Sequence, residues 1–118
     1  MFVHVEMGTG LADPRMEVLL NRQEDVAVAT YTYHPSGGSE DGLFYGSDLL
    51  VDVADQLGGL VLDVSMDKFL DEEVPAVEVS VSVDGVADLS SEEELYARLL
   101  PITEVMNRIE VDSYIDYE

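Results

Sequence analysis

The chain has no cysteine and no tryptophan, and its one lysine is Lys68. Without cysteine there is no disulfide framework, no thiolate metal site and no cysteine nucleophile, and the redox compartment is left open. Long apolar runs are missing too: no stretch approaches the roughly 18 consecutive apolar residues of a membrane span. The opening MFVHVEMGTG has neither a basic region nor an apolar core of signal-peptide length. The expected location is therefore cytoplasmic or virion-associated, without signal peptide or transmembrane segment.

Positive charge is the scarcest property. Five Lys and Arg stand against 26 Asp and Glu in 118 residues, a formal net charge of −21. The sequence pI is close to 4.1. Such a surface repels phosphate backbones and anionic lipid, so no direct nucleic-acid partner and no membrane partner is expected. Hydrophobic residues still make up 47% of the chain. They run along its whole length, so residues 1–118 are expected to fold as a single acidic α/β domain with one core.

Acidic residues fall on nearly every expected element, at positions that the apolar pattern leaves facing water. Glu17, Asp25, Asp48, Asp52, Asp55, Asp63, Asp71, Glu78, Glu92 and Glu104 are examples. Acidity is thus a property of the whole surface and not of one tail. Salt adaptation accounts for that pattern, because at about 1 M salt the Debye length falls to about 3 Å and self-repulsion is screened. Mimicry of a nucleic acid, or capping of a basic enzyme, is the competing explanation.

Along the chain, FVHVEM at 2–7 alternates with the period of a strand. Asp13-Pro14 then offers a helix start, and Met16, Leu19 and Leu20 predict a helix through about Arg22. VAVATYTYH at 26–34 has the β-branched and aromatic content of an interior strand. The segment PSGGSEDG, 35–42, predicts a long hairpin loop with Leu43-Phe44-Tyr45 as the return strand. Ser47 is expected to cap an amphipathic helix that buries Leu49, Leu50, Val53, Ala54 and Leu57 and ends at Gly58-Gly59. A strand from Leu60 follows, then an acidic turn or short helix over 67–73. Val77, Val79, Val81 and Val83 give the cleanest strand pattern, with one wet face. Ser91 and Glu94 form a capping box, and Pro101 is expected to kink or split the helix that follows. The last residues, VDSYIDYE, read as an edge strand or an acidic docking tail.

This order matches a ferredoxin-like split β-α-β-β-α-β sheet with an additional C-terminal β-α unit and its helices mainly on one face. Three constellations bear on chemistry. His4 and Glu6 share one face of the first strand, and His34 ends another strand, so a metal or general-base site would require all three to meet. Gly8-Thr9-Gly10 sits where a phosphate-cradling turn would sit, but no third fingerprint glycine and no Walker lysine follow it. Carboxylates at 67–73 and 90–94 lack the spacing of a calcium loop, and no serine sits in a nucleophile elbow. No catalytic residue, metal site or cofactor is therefore expected.

The sequence points instead to a non-enzymatic protein–protein interaction or assembly subunit of a salt-adapted organism or its virus. Its partner would be another protein, either a second copy or a basic protein. Tyr31, Tyr33, His34, Phe44 and Tyr45 are the expected contact residues on the aromatic hairpin, with Tyr114, Ile115 and Tyr117 on the C-terminal segment. An acidic binding inhibitor, either an immunity-type protein or a nucleic-acid mimic blocking a basic cleft, is the alternative.

Overall fold

The fold is known from a computed structural model that describes residues 2–7, 15–35, 43–69 and 75–116. Strands β1 (Phe2–Met7), β2 (Arg15–Asn21) and β3 (Val26–Tyr33) come first, followed by the short β4 (Leu43–Phe44) and helix α1 (Gly46–Leu57). Next come β5 (Asp63–Phe69), β6 (Ala76–Asp84), helix α2 (Glu92–Asn107) and a two-residue β7 (Ile115–Asp116). Five strands form one sheet in the order β1-β2-β3-β6-β5, and β4 pairs with β7 apart from it. Every pairing is antiparallel. Among the described residues no helix is long and apolar enough to cross a membrane.

The mixed α/β class is as expected, but the ferredoxin-like split arrangement is not what forms. In that arrangement the two strands of each β-α-β unit are separated by a third strand, whereas here β1, β2 and β3 pair side by side in chain order. The difference arises at residues 15–21, where a strand stands in place of the expected helix. Met16, Val18 and Leu20 are buried while Arg15, Glu17 and Leu19 are exposed, a period of two. The helical reading passed over Val18, the β-branched residue at the centre. Pairing with β1 on one side and β3 on the other decides the local structure over intrinsic propensity.

The core lies on one side of the sheet. Val77, Val79, Val81 and Val83 of β6 join Ala27, Ala29, Tyr31 and Tyr33 of the central strand β3. Leu49, Val53 and Leu57 of α1 and Leu95, Leu99, Ile102 and Met106 of α2 cover them. The Tyr31 hydroxyl lies 2.9 Å from that of Thr103, and the Tyr33 hydroxyl donates to the Met106 carbonyl at 2.6 Å. Both tyrosines thus bridge sheet and helix, with the apolar ring in the core and the polar tip satisfied.

Local starts and stops differ from expectation in ways the contacts explain. Helix α1 begins at Gly46, with Tyr45 and not Ser47 before it, and no side chain caps it. A Cβ at Gly46 would stand 2.6 Å from Met66 Cε, so glycine lets the helix start press against β5. The strand expected from Leu60 begins at Asp63, because Gly58–Leu60 form a 3-10 turn that carries the chain from α1 to the sheet edge. Residues 67–69, expected in an acidic turn, complete β5; 70–74 lie outside the described residues. Helix α2 runs unbroken through Pro101. Ser91 Oγ accepts from the Glu94 amide as a cap should, while the Glu94 carboxylate accepts from the amide and hydroxyl of Ser90.

One carboxylate holds two turns together. Asn21 Oδ1 accepts from the amides of Gln23 and Glu24, which shapes the β2–β3 turn. The turn ends at Asp25 in the left-handed region, φ 55°. From there the Asp25 carboxylate accepts from three successive amides, Gly85 at 3.1 Å and Val86 and Ala87 at 2.7 Å. These donors hold its carboxyl below the ordinary aspartate range.

Two predictions follow from this packing. Leu99→Ala, at a fully buried position, should lower unfolding free energy by about 2–5 kcal/mol in a denaturant titration at fixed salt. A group whose pKa is lowered in the folded state adds stability above its unfolded pKa and loses it as pH falls through the folded one. Asp25→Asn should therefore be less stable than the parent near neutral pH, and the gap should shrink below about pH 4. A gap that does not change with pH would contradict the role given to this carboxylate.

Candidate functional site

The expected contact residues divide into two groups. Tyr31 and Tyr33 are 0% and 2% exposed. They sit on the buried face of β3 because their odd-numbered positions share it with Ala27 and Ala29. Phe44 is likewise buried, and the Lys68 ammonium stands 5.9 Å from its ring centre. These three aromatics hold the layers together and are not available to a partner in this structure. The sequence could not distinguish the faces of β3, since both carry residues able to pack.

The remaining residues gather at one end of the molecule. β4 does not return against β3 as a hairpin; it pairs with β7, with Phe44 opposite Ile115. The Tyr45 amide donates to the Tyr114 carbonyl at 2.8 Å, and the Tyr114 hydroxyl donates to the Asp52 carboxylate of α1 at 2.8 Å. The two regions expected separately as contact surfaces, the aromatic stretch near 44–45 and the C-terminal segment, thereby form a single surface. Tyr117 lies outside the described residues.

Two clefts flank this C-terminal segment and share Ser113. One, of about 340 Å³, is lined by Tyr45, Asp48, Val51, Asp52, Ser113 and Tyr114. Tyr45 is 41% and Val51 58% exposed. The other, of about 500 Å³, includes Tyr33, His34, Pro35, Ile109, Glu110 and Ser113. His34 is exposed, and its Nδ1 lies 3.2 Å from the Pro75 carbonyl. Val51 was missed in the sequence reading, although its signal is there: an apolar residue among Asp48, Asp52 and Asp55 on the wet side of α1.

Electrostatics near Tyr114 are one-sided. Partial burial is the main reason its hydroxyl is pushed up to about 12, and the Asp52 hydrogen bond and the charges of Asp52 and Asp48 add to it. Tyr114 therefore stays a neutral donor through the physiological range and fastens the segment to α1. Tyr31 is pushed up to about 12 as well, by burial first, with its Thr103 hydrogen bond acting the other way.

The meeting of His4, Glu6 and His34 that a metal or general-base site would require does not occur. His4 pairs with Leu19, and Leu19 with Val28, so His4 is level with Val28 while His34 lies beyond the far end of β3. At ~3.3 Å per residue along a strand and ~4.8 Å between strands, their backbones are roughly 20 Å apart. That is too far to share a ligand. No group of three His, Asp or Glu able to hold a metal is present among the described residues. Gly8-Thr9-Gly10 lies outside the described residues.

The arrangement defines a small two-layer domain, an antiparallel sheet with two helices on one face, carrying an acidic, partly aromatic surface at one end. Comparison with protein-family models, with curated proteins and with solved structures gave no match.

The two raised tyrosines lead to an alkaline prediction. A group whose folded pKa is raised adds stability below its unfolded pKa, near 10 for tyrosine, and loses it as pH rises through the folded value. Tyrosinate absorbance should thus show a late step near pH 12. Asp52→Asn should move the Tyr114 part of that step toward the ordinary range, and Tyr114→Phe should remove it. A late step untouched by both changes would dissolve the link between Tyr114 and Asp52.

Proposed function

We propose that this chain is a non-enzymatic protein–protein interaction or assembly subunit of a salt-adapted organism or its virus, cytoplasmic or virion-associated. Its contact surface is the one built by Tyr45, Val51 and Tyr114. The observation that carries this reading is the joining of β4 and β7, which sets an exposed tyrosine and an exposed valine beside a fastened C-terminal segment. Aromatic residues with polar tips suit such surfaces, since they supply large contact area at low entropic cost.

Salt adaptation is supported by where the carboxylates stand. Glu17 and Asp63 on the sheet, Asp48, Asp52 and Asp55 on α1, and Glu92, Glu93 and Glu104 on α2 are all exposed. Solvated carboxylates on every side suit screening by molar salt better than they suit one basic cleft. The second reading, an acidic binding inhibitor, draws on Asp48 and Asp52 standing within the contact surface itself. It differs in requiring the fold to persist without salt.

Circular dichroism melts from about 0.05 M to about 3 M salt separate the two. The assembly reading expects loss of the fold at the low end and rising Tm with salt. In molar salt, light scattering should give a mass above that of the 13.0 kDa chain, alone or with native partners, and Val51→Glu should return it to monomer. A partnerless monomer in molar salt would sink the proposal. A fold indifferent to salt would favour the inhibitor.

A further inference from the structure

Strand β5 is an edge of the five-stranded sheet: it pairs with β6, and among the described residues no strand lies on its other side. An edge presents a row of backbone N–H and C=O groups to any extended chain that approaches. The helices cover Val64 and Met66, while Asp63, Ser65, Asp67 and Phe69 alternate along the uncovered face, all four exposed.

One end of this row is electrostatically unbalanced. Asp67 stands directly opposite Glu78 across the β5–β6 ladder, and like charges so placed weaken a sheet. The one Arg or Lys of the described strands on that face, Arg15, lies opposite Thr32, which lies opposite Glu78. That is two strands and ~10 Å away. Next along β5 comes Phe69, 41% exposed, opposite the small Ala76. Two carboxylates beside an accessible ring form a place for one Lys or Arg side chain, by charge and by cation–π attraction. Four residues back along the same face, ~13 Å away, Asp63 supplies a second carboxylate.

From this juxtaposition we infer that β5 is a docking edge for an extended basic segment of another protein, which adds a strand to the sheet. The spacing specifies the segment. Basic residues at positions i and i+4 meet Asp67 with Glu78 and Asp63, a small or hydroxyl residue at i+2 meets Ser65, and apolar residues at i+1 and i+3 continue the covered face of Val64 and Met66. Backbone pairing supplies register and the carboxylates select charge. The inference goes beyond the Tyr45–Tyr114 surface, uses none of its residues, and stands or falls separately from it.

The test uses the whole chain and a capped synthetic peptide containing Lys-Val-Ser-Val-Lys, in the lowest salt at which circular dichroism shows the complete fold. Controls are a scrambled peptide of identical charge with adjacent lysines, and the matched peptide with alternate backbone nitrogens methylated. Titration calorimetry should show the matched peptide binding at least about tenfold tighter than either control. Asp67→Asn with Glu78→Gln should weaken it by at least about tenfold, whereas Asp55→Asn with Glu104→Gln, the same charge change on the helices, should leave it within about twofold. Absence of binding overturns the inference. Equal binding of the scrambled peptide, or equal weakening by both pairs of substitutions, also overturns it, as general attraction to a polyanion. Self-association of the protein abolished by Ser65→Pro would give the edge to a second copy and overturn it as well.

Discussion

Everything else in this molecule depends on the fastening of α2 to the central strand through two phenols. Burial of apolar surface brings the helix layer onto the sheet, but burial is not directional. Tyr31 and Tyr33 supply direction: their rings fill the core above β3 and their hydroxyls meet Thr103 and the Met106 carbonyl. The Thr103 hydroxyl in turn lies 3.5 Å from Met16 Sδ on β2, so one polar chain ties two strands to one helix inside an apolar layer. Buried groups of this kind are costly if left unmatched, which penalises other placements of the helix. With α2 held, the residues that follow it reach the far end of the molecule where β7 meets β4.

The charge pattern adds a second constraint of opposite character. Attraction within the core is local and short-ranged, whereas repulsion among solvated carboxylates acts over the whole surface. Asp25 escapes that general repulsion, since three amides in a row receive its charge. Asp67 and Glu78, placed opposite each other with no such donors described, concentrate it on the sheet, and Glu6 stands opposite Glu17 across the β1–β2 ladder.

Strand β6 and helix α1 could be read from their residues, because alternation of valines with Glu78, Ser80 and Ser82 and the 3.6-residue spacing of Leu49, Val53 and Leu57 each have one interpretation. β2 could not, because Met16, Leu19 and Leu20 satisfy a helical stripe as well as Met16, Val18 and Leu20 satisfy a strand. Only the neighbouring strands decide between them. The same limit applied to the site. Tyr45 and Tyr114 carry interface chemistry visible in the sequence, but which tyrosines face inward depends on the phase of β3, and the pairing of β4 with β7 depends on where α2 delivers the chain. Whether His4 and His34 meet could not be read for want of a register. Val51 and Phe69 broke a polar pattern, a sign legible in retrospect.

The β4–β7 ladder joins residues 43–44 to residues 115–116 and so spans most of the chain. Such a long-range closure forms late, after the nearer pairings have shortened the loop that it must close. During synthesis, β4 can find its partner only after residues 115–116 have left the ribosome. The surface at that end is thus absent from any nascent chain that stops short of residues 115–116.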